Sequence, residues 1–189
     1  PIIDNSDPFA ALAFRFFFVA IGFLLFSIYS KQTIIINKKN LIESFFSGVL
    51  FHGFYLGGVF FSISIGMPTG IAALIVTLQP ILTNILSGPI LNENVSFKQW
   101  LGVLLGFFGA TLVLGLDLGS DIPLLGLVAT IVALISITAS TIWQKKLSNN
   151  LPLSVSNFYQ AVGGCFFHIV VIIFFIEPYI DFTKTFFLA

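Results

Sequence analysis

"GIAALIVTLQPILTNIL", residues 70–86, is apolar enough for hydrocarbon yet carries Gln79, Pro80 and Asn84 near its middle. A proline inside a helix removes a backbone donor, and a primary amide in an apolar medium costs free energy until a partner satisfies it. Projected at about 100° per residue, the stretch divides into two halves. Ala72, Ala73, Val76, Thr77, Gln79, Pro80, Thr83, Asn84 and Ser87 fall on one side, and Ile71, Leu74, Ile75, Leu78, Leu82, Ile85 and Leu86 on the other. The second half suits lipid. The first is small and polar, and Pro80 frees the carbonyl of Val76 on that side. Two uses of such a face stay open. One is helix–helix adhesion, with small residues allowing close approach and amides bonding across the interface. The other is the lining of a polar pathway by Gln79 and Asn84.

The rest of the chain sets this helix in a membrane. Of 189 residues, 57% are hydrophobic and 8% charged, with 24 phenylalanines and a mean hydropathy of +1.05. A soluble domain carries about 25% charged residues, so this composition cannot build a water-facing surface. The apolar runs are continuous, which argues against the roughly ten-residue alternating stretches of a membrane β-barrel. Net charge is zero and the basic residues form no dense run, so nucleic-acid binding has no support. Cys165 has no disulfide partner within the chain. The sequence starts at Pro1 without a basic n-region or cleavage pattern, and reads as a fragment of a longer protein.

Six stretches are long enough to span ~30 Å of hydrocarbon, at about 8–29, 41–65, 69–91, 98–116, 123–143 and 153–176. The connections are short, so the expectation is one all-α, polytopic transmembrane bundle. Ser96 and Gln99 form a capping-box pair at the start of the fourth span. If the first span is entered from outside, Lys31, Lys38, Lys39, Lys98, Lys145 and Lys146 all fall in cytoplasmic loops and only Lys184 outside. Lysine asymmetry of this kind sets topology. The outer loops then hold Asp4, Asp7, Asp117, Asp121, Glu177 and Asp181.

"DPFAALAFRFFFVAIGFLLF" (7–26) and "LPLSVSNFYQAVGGCFFHIVVIIFF" (151–175) echo each other. In each a proline precedes a phenylalanine by six residues (Phe14, Phe158), with polar groups next, small residues and then an aromatic half. An odd number of helices per unit would run the second copy across the membrane in the opposite sense, as in inverted-repeat transporters.

Polar residues recur as stripes on the other spans. The second carries Ser44, Gly48, His52, Tyr55 and Ser62, the fifth Ser136, Ser140 and Trp143, and the sixth Asn157, Gln160, Gly164 and His168. Such stripes suggest a shared polar cavity. Histidine in water titrates near neutral pH, which makes His52 and His168 candidates for proton coupling; the alternative is a hydrogen-bonded packing role. No nearby Cys, Asp or Glu completes a metal site with them, and no cofactor is expected. Arg15 lies within a span, where it either snorkels to the interface or meets an anionic substrate group. Gly102, Gly106, Gly109 and Gly115 suggest close helix packing. Glu93, Pro68 and Pro80 are candidates for gate and hinge positions. P-loop, H-E-x-x-H and G-x-S-x-G motifs do not occur, so an ATPase or protease of those types is not supported.

The stretch "GMPTGIAALIVTLQPILTNILSGPILNENVSFKQWLGVLLGFFGATLVL" (66–114) resembles the EamA domain of the drug/metabolite transporter superfamily. The matching features are the small residues before "ALI", the mid-helix proline, the acid in the short loop (Glu93), then "QWLG" and the following glycines. "FAALAFRFFF" (9–18) resembles that family's second helix. Where the family often has a glycine before the loop acid, this chain has Asn92. The resemblance implies ten helices in two inverted five-helix repeats. Residues 1–116 would then be a first repeat lacking its first helix, and 117–189 the first two helices of the second, with helices eight to ten absent. It further implies a non-enzymatic secondary transporter in the inner membrane, exporting an amino acid or similar small metabolite by alternating access. Its partners would be the lipid bilayer, the substrate and a coupling proton, and its cavity residues Arg15, His52, Tyr55, Gln79, Asn84, Trp143, Asn157 and Gln160. The alternatives are drug efflux by the same fold, a helper subunit bound through its polar stripes, and a lipid-processing enzyme. The last lacks the acidic or histidine cluster it would need.

Overall fold

In hydrocarbon a backbone N–H or C=O finds no water and takes its partner from the protein, and a helix supplies nearly all of them within its own segment. The computed structural model describes residues 7–92, 95–114, 121–147 and 151–175, and among them every regular element is helical. These are α1 (Pro8–Tyr29), α2 (Lys38–Ser64), α3 (Thr69–Leu91), α4 (Phe97–Leu114), α5 (Leu124–Leu147) and α6 (Leu153–Phe175). Each falls on one expected span. All but α4 are long and apolar enough to cross a membrane; α4, at 18 residues, is the shortest.

Local chemistry sets the ends. Asp7 Oδ1 accepts from the N–H groups of Phe9 and Ala10 at 2.9 and 3.0 Å, with Pro8 in the first turn where a missing donor costs nothing. Asn37 caps α2 through Asn40 N–H at 2.8 Å. The Ser96–Gln99 pair is reciprocal: Gln99 Oε1 accepts from Ser96 N–H at 2.7 Å, and Ser96 Oγ from Gln99 N–H at 3.3 Å. α3 ends on Asn92, at φ 54° and ψ 38°. That left-handed conformation is cheapest for glycine and next for asparagine, which accounts physically for Asn92 at this place.

The helices alternate in direction, and their contacts run in the order α1, α6, α2, α5, α3, α4. α1 buries its small first half, Pro8–Ala13, and Phe16 against α6, where Cys165 Sγ lies 3.5 Å from the carbonyl of Ala13. Thus the two echoing segments are packing partners. Alternation places Lys31, Lys38, Lys39, Lys98, Lys145 and Lys146 at one end of the bundle, and Asp7 and Asp121 at the other. Asp4, Gly115, Asp117, Glu177, Asp181 and Lys184 lie outside the described residues.

Two interfaces hold the centre. Between α2 and α5, Ser47 and Ser140 hydroxyls meet at 3.0 Å, and Ser140 Oγ donates to Ser47 C=O at 3.0 Å. Nearer the other end Ser62 donates to Thr130 Oγ1 at 2.8 Å, while Thr130 donates to Gly126 C=O at 2.9 Å. Between α2 and α6 the contact is glycine against backbone. A Cβ on Gly48 would collide with the backbone of Gln160, and one on Gly163 with Phe45 C=O; at Gly53 it would stand 2.6 Å from the Phe167 ring. By contrast, a Cβ on Gly102, Gly106 or Gly109 meets no atom within 4 Å. Among the described residues the close glycine packing therefore lies at α2–α6, not on α4 where the G-x-x-x-G pattern suggested it.

Gly163→Val should destabilise the chain by about 1–3 kcal/mol through overpacking, whereas Gly106→Val should stay within about 0.5 kcal/mol. Unfolding midpoints of the two variants in the same detergent measure the contrast.

Candidate functional site

α3 is not one helix but two. Its first half, Thr69–Val76, stops at Thr77, whose Oγ1 donates to Leu74 C=O at 2.7 Å; the second, Gln79–Leu91, restarts with Pro80 in its first turn. The break expected from Pro80 is present two residues before it. It also re-phases the halves. Ile85 and Leu86 are exposed as the projection required, but Leu74, assigned to the lipid half, is buried. A single 100° projection cannot carry through a discontinuity.

Broken helices persist at membrane depth where the freed groups face a cavity or other protein. Here a cavity of about 520 Å³ lies against the break, lined by Val76, Thr77, Gln79 and Pro80 of α3, Tyr55 of α2, and Gly102, Gly106 and Phe107 of α4. The α4 glycines thus border open volume. Gln79 closes one side of it: Nε2 donates to Thr83 Oγ1 at 3.3 Å and to Thr141 Oγ1 of α5 at 3.2 Å. Beyond that triad, toward the lysine-bearing end, lies a second cavity of about 120 Å³, bordered by Thr83, Asn84, Ser87, Gln99, Thr141 and Lys145. Asn84 Nδ2 is buried there with no hydrogen-bond partner among the described residues, a state that costs about 1–3 kcal/mol if nothing satisfies it. The polar residues of α3 therefore form one track past α4 and α5, with Gln79 standing between two open volumes.

The histidines form a different constellation. Over Val49–Gly57 the α2 backbone is a π-helix, widened by one residue per turn, a feature often found at functional positions. Gly53 and Gly57 face α6 within it. His168, fully buried on α6, donates from Nε2 to the His52 carbonyl at 2.9 Å. Both Nδ1 atoms are buried without a partner among the described residues. Phe16 of α1 lies over both rings, with centroids 4.3 Å from His52 and 5.8 Å from His168, and Phe9 stands 5.8 Å from His168. The pair is enclosed by aromatic carbon and joins α1, α2 and α6.

The remaining candidates disperse. Arg15 is exposed, its guanidinium carbon 6.0 Å from the Phe16 centroid. Gln160 is buried and donates to Ser156 Oγ at 2.9 Å, bonding within its own helix. Asn157 is half-buried, and Pro68 precedes α3 as its N-cap. Trp143 lines a third cavity, of about 770 Å³, with Lys39, Glu43 and Lys146 at its rim. Glu93 lies outside the described residues. Thr141 was absent from the sequence-derived set although it holds Gln79; its polarity was the signal, since it adjoins the Ser136–Ser140 stripe.

Replacing His168 by Phe keeps the ring but deletes its bond to the His52 carbonyl. The expected cost is about 1–3 kcal/mol, read from the unfolding midpoint; no loss would mean that the bond adds nothing to the α2–α6 interface.

The model of the EamA-like transporter family matches residues 2–115 of this chain. A probable amino-acid metabolite efflux pump of Escherichia coli (strain K12) is 27% identical over 149 residues, or 78% of this chain and 48% of the relative. The protein of the same description from Salmonella typhimurium is 30% identical over 95 residues, covering 50% of this chain and 32% of the relative. An uncharacterized transporter of Bacillus subtilis (strain 168) is 23% identical over 132 residues, covering 66% and 42%. The chain thus spans about half, or less, of the curated relatives it matches.

Proposed function

The chain belongs to the EamA-like transporter family, and from that premise we propose that it is part of an inner-membrane exporter of a small metabolite, an amino acid or derivative. It is an integral multi-pass membrane protein, and the names of its relatives support transport rather than enzymatic turnover. The observation that carries the reading is the broken α3, with its polar face against the 520 Å³ and 120 Å³ cavities. A helix used only for adhesion would bury its amides completely in protein contacts. This one spends Gln79 on adhesion to α5 and leaves Asn84 Nδ2 without a partner.

In this reading substrate moves along the α3 track. Tyr55, Thr77 and Gln79 contact it midway, Asn84 nearer the lysine-bearing end, and the break before Pro80 lets one half of α3 tilt against the other. Alternating access follows if the bonds of Gln79 to Thr83 and Thr141 break and reform as the cavities open in turn. Both bonds are long, at 3.3 and 3.2 Å, which suits a contact that must open. α1 and α6 would be equivalent helices of two inverted repeats, 1–116 and 117–189 being portions of each. His52 and His168 are the groups through which a proton gradient would act, and collapse of the gradient without loss of export would remove that element alone.

Gln79→Leu and Asn84→Leu test the track. Export of an amino acid by the full-length protein in proteoliposomes should fall at least ten-fold in each, with assembly and midpoint changed little. Variants that fail to assemble would instead assign both amides to helix adhesion.

A further inference from the structure

The wide turn of α2 decides where its side chains point. A π-helix bonds i→i+5 and carries about one residue more per turn than the 3.6 of an α-helix. Along an uninterrupted α-helix at about 100° per residue, Gly48 and Gly57 would lie about 180° apart. Here both press on α6: a Cβ on Gly48 would collide with the Gln160 backbone, and one on Gly57 would stand 3.1 Å from the His168 ring. The π stretch, Val49–Gly57, takes up the difference. On either side of it α2 is tied to α5, by Ser47 with Ser140 and by Ser62 with Thr130. The two ties hold the ends, so the rotation between them is set within the π stretch.

His168 holds this turn from outside. Its ring is fully buried, and Nε2 donates to the His52 carbonyl at 2.9 Å, near the middle of the stretch. Gly164, one turn earlier on α6, permits the approach, since a Cβ there would collide with His52 Cβ. Tyr55 follows His52 by three residues within the same π stretch and lines the 520 Å³ cavity with Thr77 and Gln79. Phe51, one turn before it, packs edge-on against it with centroids 5.6 Å apart. Loss of the wide turn would rotate Tyr55 against the first half of α2 by one residue, about 100°, and take it off the cavity wall. We infer that His168 is a positioning residue for the α3 track. It holds the His52 carbonyl, the held carbonyl keeps the π turn, and the turn aims Tyr55 into the cavity. His168 itself is not part of the cavity lining and acts on it through the backbone. What the cavity carries rests on the export reading; where Tyr55 points does not.

Thiol labelling reads the direction of position 55. In the full-length protein with its cysteines, Cys165 among them, replaced by alanine, Tyr55→Cys and Gly106→Cys each put a thiol on a wall of the same cavity, one on α2 and one on α4. Both should react with a small aqueous methanethiosulfonate. Adding His168→Phe, which keeps a ring but no donor, should slow the reaction at 55 at least about ten-fold and leave that at 106 within about two-fold, because access governs thiol reactivity. His168→Gln, which supplies a donor to the same carbonyl, should restore the rate at 55. A role in stability alone would raise reactivity at both positions or move neither. Equal reactivity at 55 with and without the donor overturns the proposal. So does a parallel loss at 55 and 106, since the cavity then closes as a whole, and so does a Tyr55→Cys thiol that is inert while His168 is intact. If circular dichroism shows that His168→Phe does not stay helical, Gly57→Ala, which drives a methyl against the His168 ring, is read in its place. Labelling involves no transport, so a protein that exports no amino acid sinks the export reading and leaves this result standing.

Discussion

Hydrocarbon supplies no partner for a backbone carbonyl, and among the described residues the two irregular stretches within helices, in α2 and α3, occur where another partner or an open volume is at hand. The π-helical stretch of α2 offers the His52 carbonyl, and His168 fills it from α6. The break in α3 faces a cavity and is tied down through Thr77 and Gln79. Elsewhere Thr130, Thr138 and Thr141 turn their hydroxyls back to carbonyls one turn earlier, so that each of these three donors is satisfied within α5. The two irregular helices also carry His52, Tyr55, Gln79 and Asn84. In a membrane the cost of an irregular backbone localises function, because only a site with its own polar environment tolerates one.

The bundle divides its labour accordingly. α1, α2 and α6 approach closely through glycine and aromatic contacts and form the tightly packed side, with the histidine pair at its centre. α3 and α4 form the loose side, where α4 leans on α3 and borders open volume. α5 joins the two, with hydroxyls toward α2 and Thr141 toward Gln79.

Much of this was legible in the sequence, for local reasons. Apolar length gave the six helices, Ser96 with Gln99 gave a cap, and Pro80 gave the discontinuity. Each is encoded within a few adjacent residues. What sequence could not supply is which polar stripe faces which. The polar stripes put Trp143 and Gln79 in one shared cavity, yet they line separate ones. Glycine spacing misled in the same way. Gly102 and Gly106 follow the packing motif and face open space, while Gly48, Gly53 and Gly163 receive the neighbouring helix. A glycine permits close approach; only the rest of the fold decides whether a neighbour takes it up. The π-helical stretch was equally hidden, since its stabilising donor, His168, lies 116 residues further along the chain.

The pairing of α1 with α6 has a consequence for biogenesis. α1 is made first among these helices, yet the partner that covers Ala10, Leu12 and Phe16 is made last. At roughly 5–20 residues per second, the ribosome needs on the order of ten seconds to traverse the intervening chain. Throughout that interval the small-residue face of α1 stands against lipid or a transient companion, and α2 cannot complete its histidine contact. Among these helices, assembly therefore runs from α2 through α5 to a later closure of α1 by α6. Arrest of synthesis before Leu153 should leave a chain that is inserted but not yet closed.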